Sequence, residues 1–284
     1  MFTATESDGV LAGPVRRPDN FSKTSAGSIH DDATAHKLGF RGGTVAGNIH
    51  CEQFPPLLMA RFGADWRRTG GLSLHFVNAT TDGEPVQAFA GPLRDGRCDI
   101  WMDREDGLRV CEGTAGVGGP DPQSALRRRL EAVRPAQDLR ILASSHVGDA
   151  VTDTPSRLDG EVCLKRLEMI TEPLPEYREA AIFGERVAAP SVAIDALRAV
   201  EGPLFKTVDG FVGMFGAIEL QFLDGPVFLD HDYLADGQVV ALSESPKTEV
   251  VWYESTLKDA RDGRPVAQLI MMSRLLKGSS PLWA

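Results

Sequence analysis

The feature that most constrains this chain is that its second half repeats the order of its first: a helical stretch, a strand, and then further strands joined by Asp-Gly turns. The strand Gly71-Leu72-Ser73-Leu74-His75-Phe76 aligns with Ala217-Ile218-Glu219-Leu220-Gln221-Phe222. Asp82-Gly83 precedes Val86-Gln87-Ala88 as Asp236-Gly237 precedes Val239-Val240-Ala241. Asp106-Gly107 precedes Leu108 to Ala115 as Asp262-Gly263 precedes Val266 to Leu276. A helix followed by a meander of long strands, present twice, describes two central helices, each wrapped by a strongly curved antiparallel sheet. The expected class is therefore α+β, and two such units side by side can join their sheets into one surface.

A chain of 284 residues suits two domains of ordinary size. The expected division is an N-terminal unit over 1–120, a linker helix in 121–143 and a C-terminal unit over 144–284. Between Pro122 and Pro135 the stretch Ser124 to Val133 carries Ala, Leu, Arg and Glu at helical spacing, which predicts a helix crossing from one unit to the other.

Within the first unit, Ser28 to Leu38 reads as a capped helical turn with Asp31 and Asp32 near its positive end. Three glycines in Gly39-Phe40-Arg41-Gly42-Gly43 require a turn. Ile49, Phe54, Leu57, Leu58 and Phe62 fit one helical face, interrupted at Pro55-Pro56, so a kink or two short helices are expected, ended by Gly63. Alternation in Leu72 to Phe76 predicts a half-buried strand, and Val86 to Ala90, Cys98 to Met102 and Leu108 to Ala115 read as strands after it. A short strand is expected near Val10 to Val15. In the second unit Val192, Ala193, Ala196, Leu197 and Val200 share a helical face over 187–200, with Pro190 in the first turn and Gly202-Pro203 as its stop. Trp252 and Tyr253 are expected in the core or at a subunit interface.

A formal net charge of −10 excludes the basic footprint of a nucleic-acid binder; the run Arg127-Arg128-Arg129 reads as a solvated face. No stretch approaches the ~20 apolar residues of a membrane span. The first residues lack the basic and apolar regions of a secretory signal, and the four scattered cysteines form no C-x-x-C pair. The expected location is the cytoplasm. No metal or nucleotide motif is present.

The motif-bearing stretch is Gly27 to Trp66. Ser28-Ile29-His30-Asp31-Asp32, Ala35, Leu38-Gly39-Phe40 and Val45-Ala46-Gly47 resemble the signature of the MaoC-like acyl-CoA dehydratases and (R)-specific enoyl-CoA hydratases in double hot-dog form. The motif likeness covers about 25 residues, and the repeat extends the fold likeness over roughly 10–278. The resemblance implies a thioester of coenzyme A or acyl carrier protein as substrate, no separate cofactor, and reversible hydration or dehydration at C2–C3. It implies His30 as general acid/base and the Gly47 backbone N–H as polariser of the thioester carbonyl. The family places a catalytic Asp five residues before the His, where this chain has Ser25, and puts Asn-Pro where this chain has Gly27-Ser28. It also implies that the second half, which has no His near Glu168 to Tyr177, is a degenerate partner shaping an acyl or pantetheine tunnel.

The residues themselves support several roles. His30 has a side chain whose reference pKa suits acid–base work. Asp31 either stands in for the missing carboxylate or serves as helix N-terminal charge. Gly47 and Asn48 open a helix, where free N–H groups can stabilise an oxyanion-like carbonyl. Hot-dog thioesterases carry a carboxylate on or beside the central helix, and Glu52 occupies about that place, which makes a thioesterase the rival reading. Ser25, Asn48 and His50 are the candidate substrate contacts. A non-catalytic acyl-binding subunit is the third reading, and a homodimer is expected because exposed sheet edges need covering.

Overall fold

The computed structural model describes residues 3–207 and 210–284; the first two positions of the expected N-terminal unit lie outside them. The first unit runs β1 (Thr5–Ser7), β2 (Val10–Ala12), α1 (Asp32–Lys37), α2 (Gly47–Cys51), α3 (Pro55–Phe62), α4 (Trp66–Thr69), β3 (Gly70–Phe76), β4 (Val86–Ala90), β5 (Arg97–Arg104) and β6 (Arg109–Val117). After α5 (Ala125–Glu131), the second unit contains β7 (Ala150–Arg157), α6 (Gly160–Leu167), α7 (Pro190–Leu197), α8 (Glu201–Leu204), β8 (Gly213–Phe222), β9 (Asp232–Glu244), β10 (Thr248–Asp259) and β11 (Pro265–Leu276). All eleven strands form one sheet in the order β1-β2-β4-β5-β6-β3-β8-β11-β10-β9-β7.

The two strands that align in the repeat are the ones that meet. β3 and β8 pair antiparallel, with Leu72 opposite Leu220, Ser73 opposite Glu219 and Leu74 opposite Ile218. Period-two alternation then assigns the faces. Leu72, Leu74, Ile218 and Leu220 join Ile49, Phe54, Leu57, Leu58, Ile194 and Leu197 in the main core, while Ala217, Trp252, Ile270 and Met272 point to the other face and gather around Leu126 of α5. Tyr253 lies in the main core.

The helix α5 packs on that outer face and is held there by its own end. The Ala125, Leu126 and Arg127 N–H groups donate to Thr114 Oγ1, Ser73 Oγ and Ser124 Oγ respectively. Three of the four donors that a helix start leaves unpaired are thereby satisfied. The outward polar positions of β3 and β6 thus act as the helix cap. Arg127 is only part-exposed and pairs with Glu219, so the arginine run is not wholly a solvated face.

In the first unit Pro55-Pro56 opens α3 and separates it from α2, the expected break, and Gly63 ends α3 at φ 81°. The second unit departs from expectation in two places. Gly202-Pro203 does not stop the helix: after a 3₁₀ turn at Arg198–Val200 the chain makes another helical turn, α8, that contains both residues. Asp236-Gly237 is not a turn but lies inside β9, with Gly237 opposite Ser255. Its glycine has a packing reason: a Cβ there would come within 2.8 Å of the Val200 side chain. Asp106-Gly107 and Asp262-Gly263 do form turns, with Gly107 and Gly263 at φ 81° and 74°.

The close approach of Val200 to Gly237 makes a stability prediction. Gly237→Ala should lower the unfolding free energy by about 1–3 kcal/mol, as overpacking of a filled core does, read as a lower urea midpoint at unchanged slope. An unchanged midpoint would mean the strand accommodates the methyl group and the glycine is dispensable.

Candidate functional site

The β3–β8 seam brings α2 against α7, and between the two units lies a cavity of about 730 Å³ lined from both. From the first unit come His30, Gly47, Asn48 and His50; from the second come Arg166, Asp195, Arg198 and Glu201.

His30 sits on the loop before α1, which is fastened on both sides. Its carbonyl accepts from Asn20 Nδ2 at 2.7 Å, and Gly43 is packed so closely that a Cβ would fall 2.2 Å from that oxygen. Nδ1 lies 2.7 Å from the Thr44 carbonyl. A carbonyl only accepts, so Nδ1 carries the hydrogen and the neutral ring keeps its lone pair on Nε2. Nε2 has no protein partner among the described residues. The contact fixes the orientation of the imidazole ring.

Gly47 is the first residue of α2, and neither its N–H nor that of Asn48 finds an acceptor among the described residues, as the geometry of a helix start requires. The Phe76 ring explains the glycine, since a Cβ would stand 2.8 Å from it. Asn48 is buried; its Nδ2 is 3.5 Å from Asp195 Oδ1 and its Oδ1 has no partner among the described residues. His50 donates or accepts at Thr80 Oγ1 across 2.8 Å, and burial pushes its pKa down to about 4 against a weaker pull from Glu84. It is neutral at physiological pH.

Three sequence candidates are elsewhere. Ser25 is exposed and does not reach the cavity. Asp31 is the N-cap of α1, accepting from Ala33 N, Thr34 N and Thr34 Oγ1; of its two weighed roles, the geometry favours helix capping over replacing the missing carboxylate. Glu52 is fully buried outside the cavity, where Oε1 accepts from Ser191 N at 2.6 Å in the first turn of α7. The carboxylate that the thioesterase reading needs at the thioester instead caps the opposite unit's central helix.

The second unit is not a bare wall. Asp195 in the last turn of α7, Arg198 directly after it and Glu201 at the start of α8 are half-buried and line the cavity. Arg198 forks Glu201 at 2.8 and 2.7 Å, Arg166 reaches Asp195 at 2.8 Å, and Tyr253 OH donates to Glu201 at 2.7 Å. Sequence reasoning missed this cluster. Its one local signal was the i, i+3 spacing of Asp195 and Arg198 opposite the apolar stripe, which reads equally as a solvated face.

No family model matches the sequence, and no curated protein matches it. Solved structures do match. A protein titled a putative MaoC domain protein dehydratase from Chloroflexus aurantiacus has a TM-score of 0.63 at 10% identity, over 97% of this chain and 94% of its own. A conserved Mycobacterium tuberculosis protein described as having a double hot-dog fold gives 0.62 at 14% identity, over 95% and 97%. A structure titled MaoC-like dehydratase gives 0.53 at 12% identity, over 96% and 97%. With the eleven-stranded sheet and paired central helices, these define the fold: this is a double hot-dog protein.

Glu52 supplies a test with a definite sign. Burial pushes its pKa up to about 7 from 4.5, with the contacts from Ser191 and Arg67 opposing. Folding therefore favours the neutral acid: its contribution is complete below about pH 4.5, and declines as pH rises through about 7. Glu52→Gln keeps an acceptor for Ser191 N–H and removes the charge. The variant should equal the parent in stability near pH 4.5 and exceed it by about 2–3 kcal/mol at pH 8, seen in paired melting curves. Equal stability at pH 8 would mean the ionised carboxylate is fully compensated in place.

Proposed function

We propose that this protein is a hydratase or dehydratase acting at C2–C3 of a 2-enoyl or 3-hydroxyacyl thioester, carried on coenzyme A or acyl carrier protein. The observation that carries the reading is the pairing of a fixed base with unpaired amide donors in one cavity. Among the described residues His30 Nε2 has no partner and the Gly47 and Asn48 N–H groups, at the start of α2, have no acceptor. Solved structures of the same fold that are described as a putative MaoC domain dehydratase and a MaoC-like dehydratase support it.

In the hydration direction, His30 Nε2 takes a proton from water as the water oxygen bonds to C3. The π electrons move onto the thioester oxygen, where the Gly47 and Asn48 N–H groups donate to the enolate. Collapse of the enolate takes the proton back from His30 onto C2, so one water is added and the base is regenerated. His30 alone can serve both proton transfers, which compensates for the serine that stands where the family has an aspartate. Burial keeps His50 neutral and the apolar rings of Phe21, Phe76 and Phe215 limit water around the reacting atoms.

The thioesterase alternative loses support because Glu52 is outside the cavity and engaged at Ser191. The test is mass-spectrometric product analysis with 2-enoyl-CoAs of neutral and carboxylated acyl ends and with saturated acyl-CoAs. Gain of one water, reduced about 10²–10⁴-fold in His30→Ala and retained in Glu52→Gln, is the expected result. Release of free CoA from saturated substrates would replace the proposal with hydrolysis, and binding without turnover would make the protein an acyl-thioester carrier.

A further inference from the structure

The wall opposite His30 carries more charge than a hydrocarbon acyl chain can use. Among the described residues, Arg166, Arg198 and Arg274 line the cavity, with the carboxylates Asp195 and Glu201 to set against them. Arg274 contacts His75 Nε2 at 3.0 Å and has no carboxylate partner among the described residues. The two carboxylates are saturated. Asp195 Oδ2 accepts from Arg166 and its Oδ1 from Arg198 and Asn48, while both Glu201 oxygens accept from Arg198, with Tyr253 OH also on Oε1. Besides Arg274, unused donor capacity lies on Arg166, whose Nη1 is shielded from solvent with no acceptor among the described residues while its side chain as a whole stays 22% exposed. A buried donor without an acceptor carries a desolvation cost that an arriving anion removes. The guanidinium is also preset in orientation, lying over the Phe21 ring at 4.6 Å and bonded to Asp195 at 2.8 Å.

Position indicates which part of a ligand this group meets. Asp195, the partner of Arg166, lies 3.5 Å from the side chain of Asn48, the neighbour of Gly47. In the reading above Gly47 holds the thioester carbonyl. The phosphates of the carrier are separated from that carbonyl by the whole pantetheine arm, so the anion nearest Arg166 belongs to the acyl group.

We infer that Arg166 recognises a carboxylate on the acyl end, making the preferred substrate a short dicarboxylic 2-enoyl thioester rather than a fatty enoyl thioester. This rests on the hydratase reading for the site of the thioester but is tested separately from it.

The experiment compares the four-carbon neutral 2-enoyl-CoA with the mono-CoA thioester of the four-carbon 2-ene-dioic acid, so that the carrier and its phosphates are common to both. Binding is measured by calorimetry and turnover by hydration, for the parent, Arg166→Gln and Arg166→Lys, with circular dichroism and melting curves to confirm folding. The expected result is at least about tenfold preference for the dicarboxylic over the neutral thioester in the parent, a ratio that falls towards one in Arg166→Gln and is partly kept in Arg166→Lys. Equal or better binding of the neutral thioester by the parent overturns the inference. So does a loss in Arg166→Gln that is equal for both ligands, including one caused by misfolding in both variants while the parent lacks the preference. If neither thioester is hydrated, the hydratase reading fails, and the binding preference still decides the inference.

Discussion

The antiparallel pairing of β3 with β8 is the constraint on which the rest depends. Each strand alone would leave a row of unpaired amide and carbonyl groups at the edge of a curved sheet. Paired, they convert two half-barrel units into one sheet and fix the register that turns Leu72, Leu74, Ile218 and Leu220 to a single core. A slip of one residue would exchange those side chains with Ser73 and Glu219. The outward pair has its own partners in α5 and Ser124, so both faces of the seam specify the same register.

The seam also decides where chemistry can occur. With the sheets joined, the central helices stand side by side, and the start of α7 faces Glu52 of the first unit. A buried Arg67 adds a second link, donating to Glu176 and Tyr177 OH at 2.8 and 2.9 Å. Such buried polar contacts gain little stability over apolar packing, but they penalise any other arrangement of the two units. The cavity is what this arrangement leaves between the helices. The first unit contributes a base and amide donors, the second a charged wall, and neither unit alone encloses the space.

The parts of the chain that were legible in sequence are those governed by local rules. Alternation over Leu72 to Phe76 gave a strand, Pro55-Pro56 a helix break, and Asp106-Gly107 and Asp262-Gly263 their turns, because steric and hydrophobic periodicity act over a few residues. The same rule misled at Asp236-Gly237, where a turn dipeptide lies mid-strand. There the glycine answers to Val200, which is remote in sequence, and only packing reveals it. Gly202-Pro203 was misjudged for a similar reason: proline is tolerated in the first turn of the short helix that restarts there.

At the site the division is similar. The sequence by itself determined the repeat, the α+β class, the helix start at Gly47 and the candidacy of His30, since each is written in residue type and short spacing. Tertiary structure decided which carboxylates face the cavity. Asp31 and Glu52 each had a chemical and a structural reading in the sequence, and in the fold both carboxylates accept from helix N-termini, Asp31 at its own helix and Glu52 at a helix about 140 residues away. Asp195 and Glu201, which nothing in the sequence singled out, line the site. A carboxylate's role depends on which donors surround it, and here those donors come from the other half of the chain, brought close only by the pairing of β3 with β8.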